Sequence, residues 1–337
     1  MGEPFVSVIV VSYNYANLLP RALDAIKNQL FTDYEIVMVN NGSTDNTQEV
    51  IDNYFKVNPQ ITVKHVFIEK NRGLYYGRNL GVDAASGKYI MFNDADDWMD
   101  SNCLQLLAGR ANDTDADKIC GFFKEVDVDG NQLRTVEYTP NFSKWLTVSM
   151  QATLYRRSIV RDNNITFHES WLDDIDFNTQ FNYFAKSYEI VPTPVYNYFV
   201  NQMSTSGAKV KNRSWTYLDL TRDMLELFVP MIDKLGGTDK DELSYLMIKQ
   251  YFFYLLHSNR YSSVKEIMGN YKDANQLMKK YMPNYLHDRF EKRIAKGRDR
   301  ASGIKVTSFF LFAERMHCMK MLLCIYILLS KIKYLNP

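Results

Sequence analysis

The sequence predicts an α/β protein, a mostly parallel mixed sheet flanked by helices, with a helical appendage toward the C-terminus. Three observations carry this. Short β-branched runs alternate with helical patterns four times before residue 100, the signature of a doubly wound sheet. Strand-like segments then continue without helices between them, first as 121–126 and 128–136 around Asp129-Gly130, a hairpin signal. Beyond residue 206 the texture changes to helical periodicity with few glycines, over 215–235, 240–258 and 264–282.

The elements follow in order. Residues 5–11 (Phe-Val-Ser-Val-Ile-Val-Val) form a strand ending at Ser12-Tyr13-Asn14, and 18–29 reads as a helix. Residues 35–39 form a second strand closed by Asn40-Asn41-Gly42-Ser43, and 44–55 a helix with Ser43 or Thr44 as cap. A third strand covers 61–68, a helix runs from near Gly73 through Ala84, and a fourth strand, 89–92, delivers Asn93-Asp94-Ala95-Asp96-Asp97 at its end. Further strands are expected at 152–159 and 187–191. In open α/β sheets ligands gather beyond the carboxyl ends of the strands, and the polar clusters sit at those ends.

At 337 residues, 46% apolar and 23% charged, the chain can bury one large core plus an appendage. Basic and acidic residues nearly cancel, 40 against 39, which argues against a nucleic-acid binder. Cys103, Cys120, Cys318 and Cys324 show no metal-like spacing and fit a reduced, intracellular setting. Residues 5–11 lack the basic region and small-residue cleavage site of a secretory signal, so the start is expected to stay inside. The 23 tyrosines and 20 phenylalanines suit ring-stacking surfaces and equally a core.

The sharpest chemical signal is Asp94-Ala95-Asp96-Asp97, directly after a buried strand and before Trp98. Alternating carboxylates at a strand end can reach one divalent cation, and Mg²⁺ or Mn²⁺ held there can grip the oxygens of a nucleoside diphosphate. An isolated loop of this kind more often caps the next helix; its context decides between the two. That context is Val6 to Asn14 in the first strand, Asn40-Asn41-Gly42-Ser43-Thr44-Asp45, Asn71-Arg72-Gly73, Gly77-Arg78-Asn79-Leu80-Gly81, and Gly87-Lys88-Tyr89-Ile90 before the acidic loop. In order and spacing these segments resemble the family 2 glycosyltransferases, enzymes of the GT-A fold, with the likeness running to about residue 205.

The resemblance implies a nucleotide-sugar donor, a UDP-sugar first, and an inverting, metal-dependent transfer. Tyr13 stacks on the base and Val11 offers it backbone groups. Asn41 stands where the family commonly has Asp; its carbonyl can accept a uracil N3–H with less charge assistance, and its amide can donate instead. Asp94 and Asp96 resemble the metal motif, Asp96 binding Mn²⁺ or Mg²⁺ and Asp97 either sharing the ion or holding the ribose. Arg78 contacts the pyrophosphate or salt-bridges the acidic loop.

Trp171-Leu172-Asp173-Asp174-Ile175-Asp176-Phe177 resembles the family's Glu-Asp-x-x-Phe segment, with Asp173 in place of Glu, and the second acid is the family's catalytic base. Asp174 takes that role. Adjacent helical residues point about 100° apart, so Asp173 and Asp174 cannot both reach one atom. Asp173 or Asp176 is then a helix cap. Trp171, Asp173 and His168 fall on the acceptor side, His168 facing either acceptor or solvent. Tyr196-Asn197-Tyr198-Phe199 and Ser204-Thr205-Ser206 echo the family's Tyr-x-Tyr-Arg and Ser-rich loop, but Phe199 replaces the Arg.

Between 289 and 305 the chain is dense in Arg and Lys, and 306–335 is strongly apolar. The uncharged run 321–330 is ten residues long, against the ~20 that a membrane crossing takes. The pattern predicts docking on an anionic membrane surface, hence a cytoplasmic protein held peripherally at the inner face. The alternative is a helix packed on protein. The division expected is a catalytic domain over 1–210, a helical appendage over 211–300 and a membrane-associating helix over 301–337. The resemblance to bacterial surface-polysaccharide enzymes implies a glycan acceptor on a polyprenyl diphosphate carrier. A nucleotidyltransferase of similar fold would want a Gly-rich, basic first loop, and 12–19 contains no Gly, Lys or Arg; a non-catalytic membrane scaffold would not need the acidic loop.

Overall fold

The structure, a computed structural model, describes residues 2–169, 173–200, 217–259 and 262–335. It divides into two compact units, the first formed by residues 1–140, 149–169 and 173–208, the second by 141–148, 170–172 and 209–337.

In the first unit β1 (Val6–Ser12), α1 (Leu19–Lys27), β2 (Tyr34–Asn41), α2 (Thr47–Val57), β3 (Val63–Ile68), α3 (Leu74–Ala84) and β4 (Tyr89–Asp94) give the expected alternation. These four strands pair in parallel in the order β3-β2-β1-β4, with Val11 level with Val39 and Asp94. The register matters. It aligns the carboxyl ends of β1, β2 and β4, so that Asn41, Tyr13 and the acidic loop leave the sheet along one edge.

The sheet continues through β5 (Trp98–Met99), α4 (Cys103–Thr114), β6 (Lys118–Val126), β7 (Gln132–Val136), β8 (Thr153–Arg156), α5 (Arg157–Asp162), α6 (Asp173–Phe184) and β9 (Tyr188–Phe199). The full order is β3-β2-β1-β4-β8-β6-β9-β5, with β7 paired to β6. Strand β8 is antiparallel to both β4 and β6, which makes the sheet mixed. The β6–β7 hairpin turns through Gly130 at φ +81°, as Asp129-Gly130 predicted.

Alternate residues of the central strands face two cores. Val6, Val8 and Val10 pack with Leu23, Ile26, Ile51 and Leu104, while Ile9, Val37 and Phe92 pack with Val82, Phe177 and Phe181. Helix α3 lies hard against the sheet because Gly77 and Gly81 face it. A Cβ on either would come within 2.7 Å of Val11 or 2.4 Å of Ile9.

The structure corrects three local readings. Helix α2 starts at Thr47, so neither Ser43 nor Thr44 caps it; the intervening backbone is taken by Asn14, whose side-chain oxygen accepts from the Thr44 and Asp45 amides at 2.7 and 3.3 Å. The strand at 152–159 stops at Arg156 and turns into α5. The strand expected at 187–191 runs on to Phe199, because Tyr196 to Phe199 pair with β6.

The second unit is helical: α7 (Tyr217–Ile232), α8 (Gly237–Asn259), α9 (Val264–Tyr281), α10 (Phe290–Arg293), α11 (Ala301–Arg315) and α12 (Met319–Leu335). Ser263 and Glu266 form a capping box at the start of α9. Buried Glu314 joins three helices, accepting from Tyr271 at 2.6 Å and from Tyr251 and Asn275 at 3.4 Å. The apolar C-terminal segment is two helices, broken at His317 with φ +56°.

Candidate active site

The site is assembled at the carboxyl ends of β1, β2 and β4. Asn14, at φ +57°, ties the loop after β1 to the loop after β2: its amide donates to Ser43 Oγ at 3.0 Å. Gly42, at φ +72°, lets that second loop lie against the one after β3, since a Cβ there would sit 2.2 Å from the Asn71 nitrogen. Tyr13 stands out from this edge, 40% exposed.

Asn41 is buried, and its Nδ2 donates to the Gly73 carbonyl at 3.0 Å. That bond fixes the amide orientation. Oδ1 has no partner among the described residues, and neither do Ser12 Oγ or Asn93 Oδ1. An acceptor left bare inside a protein carries a desolvation penalty of about 1–3 kcal/mol; the register puts Ser12 and Asn93 on one face of the sheet and Asn41 on the other, against α3, where Asn41 Oδ1 is open to a donor from a polar ligand.

The acidic loop divides its labour. Asp97 is buried, and both its oxygens accept, one from Tyr196 Oη at 2.9 Å and the other from the Phe199 amide at 2.8 Å. It pins the loop to β9. Burial and the nearby charges of Asp94 and Asp96 push its carboxyl well above the usual range. Asp96 is pushed up to about 6, first by burial and then by Asp94, and it accepts from the Tyr15 hydroxyl. Its backbone carbonyl accepts from Arg21, whose guanidinium lies 3.9 Å from the Trp98 ring centroid. Carboxylates that repel one another in this way are the donor set that a divalent cation relieves. Among the described residues no group of three or more His, Cys, Asp or Glu could hold a metal by itself; ligand oxygens would have to complete the coordination.

Arg78 links the two acidic elements. It is buried on α3, and its guanidinium reaches Asp94 at 3.1 Å and Asp174 at 2.9 Å. The salt bridge read for Arg78 extends to Asp174 as well as to the acidic loop. Burial raises the Asp174 carboxyl and Asp94 adds to the rise, while Arg78 pulls against both. The next residue on α3, Asn79, clamps Phe167 with two bonds, 2.9 Å to its carbonyl and 2.8 Å from its amide. His168 follows, with Nδ1 2.8 Å from Asp176 Oδ2.

Residues 7–175 match the sequence profile described as Glycosyl transferase family 2. The chain belongs to this family. A Bacillus subtilis (strain 168) protein named as the glycosyltransferase EpsH is 29% identical over 221 residues, covering 60% of this chain and 63% of its own length. The chain therefore spans less than two thirds of that relative. Residues 1–349 of S. aureus TarS, crystallised with UDP-GlcNAc, superpose with a TM-score of 0.71 at 19% identity, covering 94% of this chain and 89% of that one. The mannosyltransferase PcManGT of Pyrobaculum calidifontis, in complex with GDP-Man and Mn²⁺, superposes at 0.52 with 14% identity, covering 93% and 88%. Both likenesses are of fold.

Of the expected site residues, Arg78, Asp94 and Asp174 are in direct contact, while Val11, Tyr13 and Asn41 lie at the ends of β1 and β2. Trp171 and the 204–206 loop lie outside the described residues, as does the side chain of Asp173, where α6 begins. Asp176 does not cap α6: it is buried and holds the amide and ring of His168, with Gln180 on its other oxygen. Sequence reasoning missed Lys118. It is fully buried on β6, and its Nζ donates to Asn178 Oδ1 at 2.7 Å and Asn182 Oδ1 at 3.2 Å, while Asn178 Nδ2 donates to the Asp174 carbonyl at 2.8 Å. A lone lysine opening a strand carries no local signal of this. Tyr15 and Arg21 were likewise hidden, because their partners lie some eighty residues on.

Proposed function

We propose that the chain transfers a sugar with inversion from a nucleotide-sugar donor, first a UDP-sugar, to a hydroxyl of a glycan acceptor. The observation that carries this reading is the single buried guanidinium of Arg78, which gathers the donor-side carboxylate Asp94 and the carboxylate Asp174 from separate parts of the chain.

In this reading Tyr13 stacks on the base and Val11 contacts it through backbone groups. Asn41 Oδ1 accepts an imino N–H, and because the Nδ2 bond to Gly73 fixes the amide orientation the side chain suits a base that presents a donor to Oδ1, as uracil does. The residues present fit a divalent cation: Asp96 would hold Mn²⁺ or Mg²⁺ from the loop that Asp97 pins, with Asp94 on the donor side. A cation bound there neutralises charge on the departing diphosphate oxygens. TarS with UDP-GlcNAc and PcManGT with Mn²⁺ support a donor and an ion of these kinds.

Asp174 accepts the proton of the incoming hydroxyl. A base must be ionised yet willing to take a proton: burial and Asp94 make the carboxylate more basic, and Arg78 keeps it charged and aimed. His168, oriented by Asp176, with Trp171 and Asp173, forms the acceptor side. The acceptor we assign is a lipid-linked oligosaccharide of surface-polysaccharide synthesis. The exposed basic residues of 289–305 would bring the enzyme to an anionic membrane surface at the cytoplasmic face. The deciding experiment is diphosphate release from a panel of nucleotide sugars with Mn²⁺. Wild type releases diphosphate from at least one uridine donor, and Asp174→Asn binds that donor undiminished without turning it over. Near-normal turnover by Asp174→Asn overturns the assignment.

A further inference from the structure

The two C-terminal helices each bury one stripe and leave a second apolar stripe open. On α11 Thr307, Leu311 and Glu314 are buried, while Val306, Phe309 and Phe312, with Met316 just past its end, are all more than half exposed. On α12 Met319, Leu323 and Ile327 are buried, while Met321, Ile325 and Leu328 are 58%, 44% and 58% exposed. Steps of three and four residues keep each set on one helix face. The buried stripes account for the fold of these helices; the exposed ones do not contribute to it. Large apolar side chains gain free energy on burial, so a surface of this composition marks a contact.

Charge indicates what covers it. Between 289 and 335 the chain has three acidic residues, Glu291, Asp299 and Glu314, and all are buried. Glu291 is paired with Arg315, Asp299 with Lys249, and Glu314 with tyrosine hydroxyls. The basic run is partly used inside the unit as well, Arg293 on Asp241 and Arg298 on Glu242. What remains exposed is Arg289, Lys292, Lys296, Arg300, Lys305 and Lys320. Among the described side chains of 289–329 the unpaired exposed charge is therefore all positive. A second copy of this chain meeting the same face would set lysine against lysine. An anionic lipid leaflet matches both parts, headgroup phosphates against the lysines and acyl chains against the apolar side chains.

We propose that α11 and α12 are an interfacial anchor, lying in the plane of an anionic leaflet with Phe309, Phe312, Ile325 and Leu328 inserted into it. Among the described residues no helix is long and apolar enough to cross a membrane. The inference rests on the membrane reading given above and adds insertion to it, which electrostatic adsorption alone does not require.

Cys318, exposed in the turn between the two helices, is a native labelling site; Cys103 and Cys120 are buried, and Cys324→Ser removes the other accessible thiol. The full chain, labelled at Cys318 with an environment-sensitive fluorophore, is mixed with phosphatidylcholine vesicles with or without phosphatidylglycerol, carrying brominated acyl chains. Insertion predicts co-sedimentation with the phosphatidylglycerol vesicles, quenching by the brominated chains, and a loss of about tenfold or more in partitioning for Phe309→Ser/Phe312→Ser. Both positions are exposed, so circular dichroism of the variant should match wild type. Salt-sensitive binding without quenching, unaffected by the serine pair, overturns insertion and leaves the electrostatic reading standing. Binding to no vesicle overturns both. A concentration-dependent dimer abolished by the serine pair assigns the face to a second copy and overturns the anchor.

Discussion

Replacing Arg78 by Met removes the cation that two carboxylates share, and the structure sets the size of the effect. The guanidinium lies 3.1 Å from Asp94 and 2.9 Å from Asp174, and the arginine side chain is only 4% exposed. Unit charges at 4 Å attract by about 4 kcal/mol at an effective dielectric near 20, and stripping one partner from a buried pair costs about 3–5 kcal/mol. Both carboxylates, however, keep a third of their surface in water, at 32% and 33%. Solvent screens such groups toward the ~1 kcal/mol of exposed pairs, which leaves a net loss of about 2–3 kcal/mol. The sign with pH follows. Burial raises the Asp174 carboxyl and Arg78 favours its ionised form, so that part of the contribution is full where Asp174 is charged and fades as it protonates. Urea unfolding in EDTA should therefore show the loss at pH 8 and a smaller one at pH 5, with Arg78→Lys intermediate because an ammonium cannot reach both acids as a fork does. Equal midpoints for wild type and Arg78→Met at pH 8, or a loss that grows on acidification, would refute the reasoning.

Other variants probe the parts around this pair. Gly42→Ala forces a Cβ to 2.2 Å from the Asn71 nitrogen at φ +72°; strain and overpacking together should cost about 2–5 kcal/mol, read by thermal unfolding, and should weaken UDP binding. Lys118→Met removes one donor from Asn178 Oδ1, which keeps Tyr155 Oη, and one from Asn182 Oδ1, at about 1–3 kcal/mol of stability. Because Asn178 holds the Asp174 backbone, steady-state kinetics should show a lower kcat with the donor KM little changed. The hydrogen bond to Asp176 raises the His168 imidazole above its ordinary range, so this pair stabilises the fold below the unfolded pKa and the benefit disappears as pH rises through the folded one. The stability gap between wild type and His168→Gln should accordingly be wider at pH 5 than at pH 8.

The alternation of β1 to β4 with α1 to α3 was readable because fully buried parallel strands are continuous apolar runs and their helices carry a 3.6-residue period. The ends of the elements were not. Asn14 captures the backbone that Ser43 or Thr44 would have capped, and no local pattern reveals a bond across thirty residues. Helix α4 was passed over although Cys103, Leu104, Leu107, Ala108 and Ala111 keep helical spacing. Types of residue at the site were legible from the acidic loop and the 171–178 segment. Their division of labour was not: that Asp97 faces Tyr196 and the β9 backbone, and that Arg78 reaches Asp174, depend on strands and helices distant in sequence.

Asp96 holding a divalent cation against a nucleoside diphosphate is the central step proposed, and calorimetric titration of UDP into the full chain tests it directly. Binding is expected with Mn²⁺, to be lost in EDTA, and to be lost in Asp96→Asn even with Mn²⁺ present. UDP binding of equal strength in EDTA, or undiminished binding by Asp96→Asn, would contradict it.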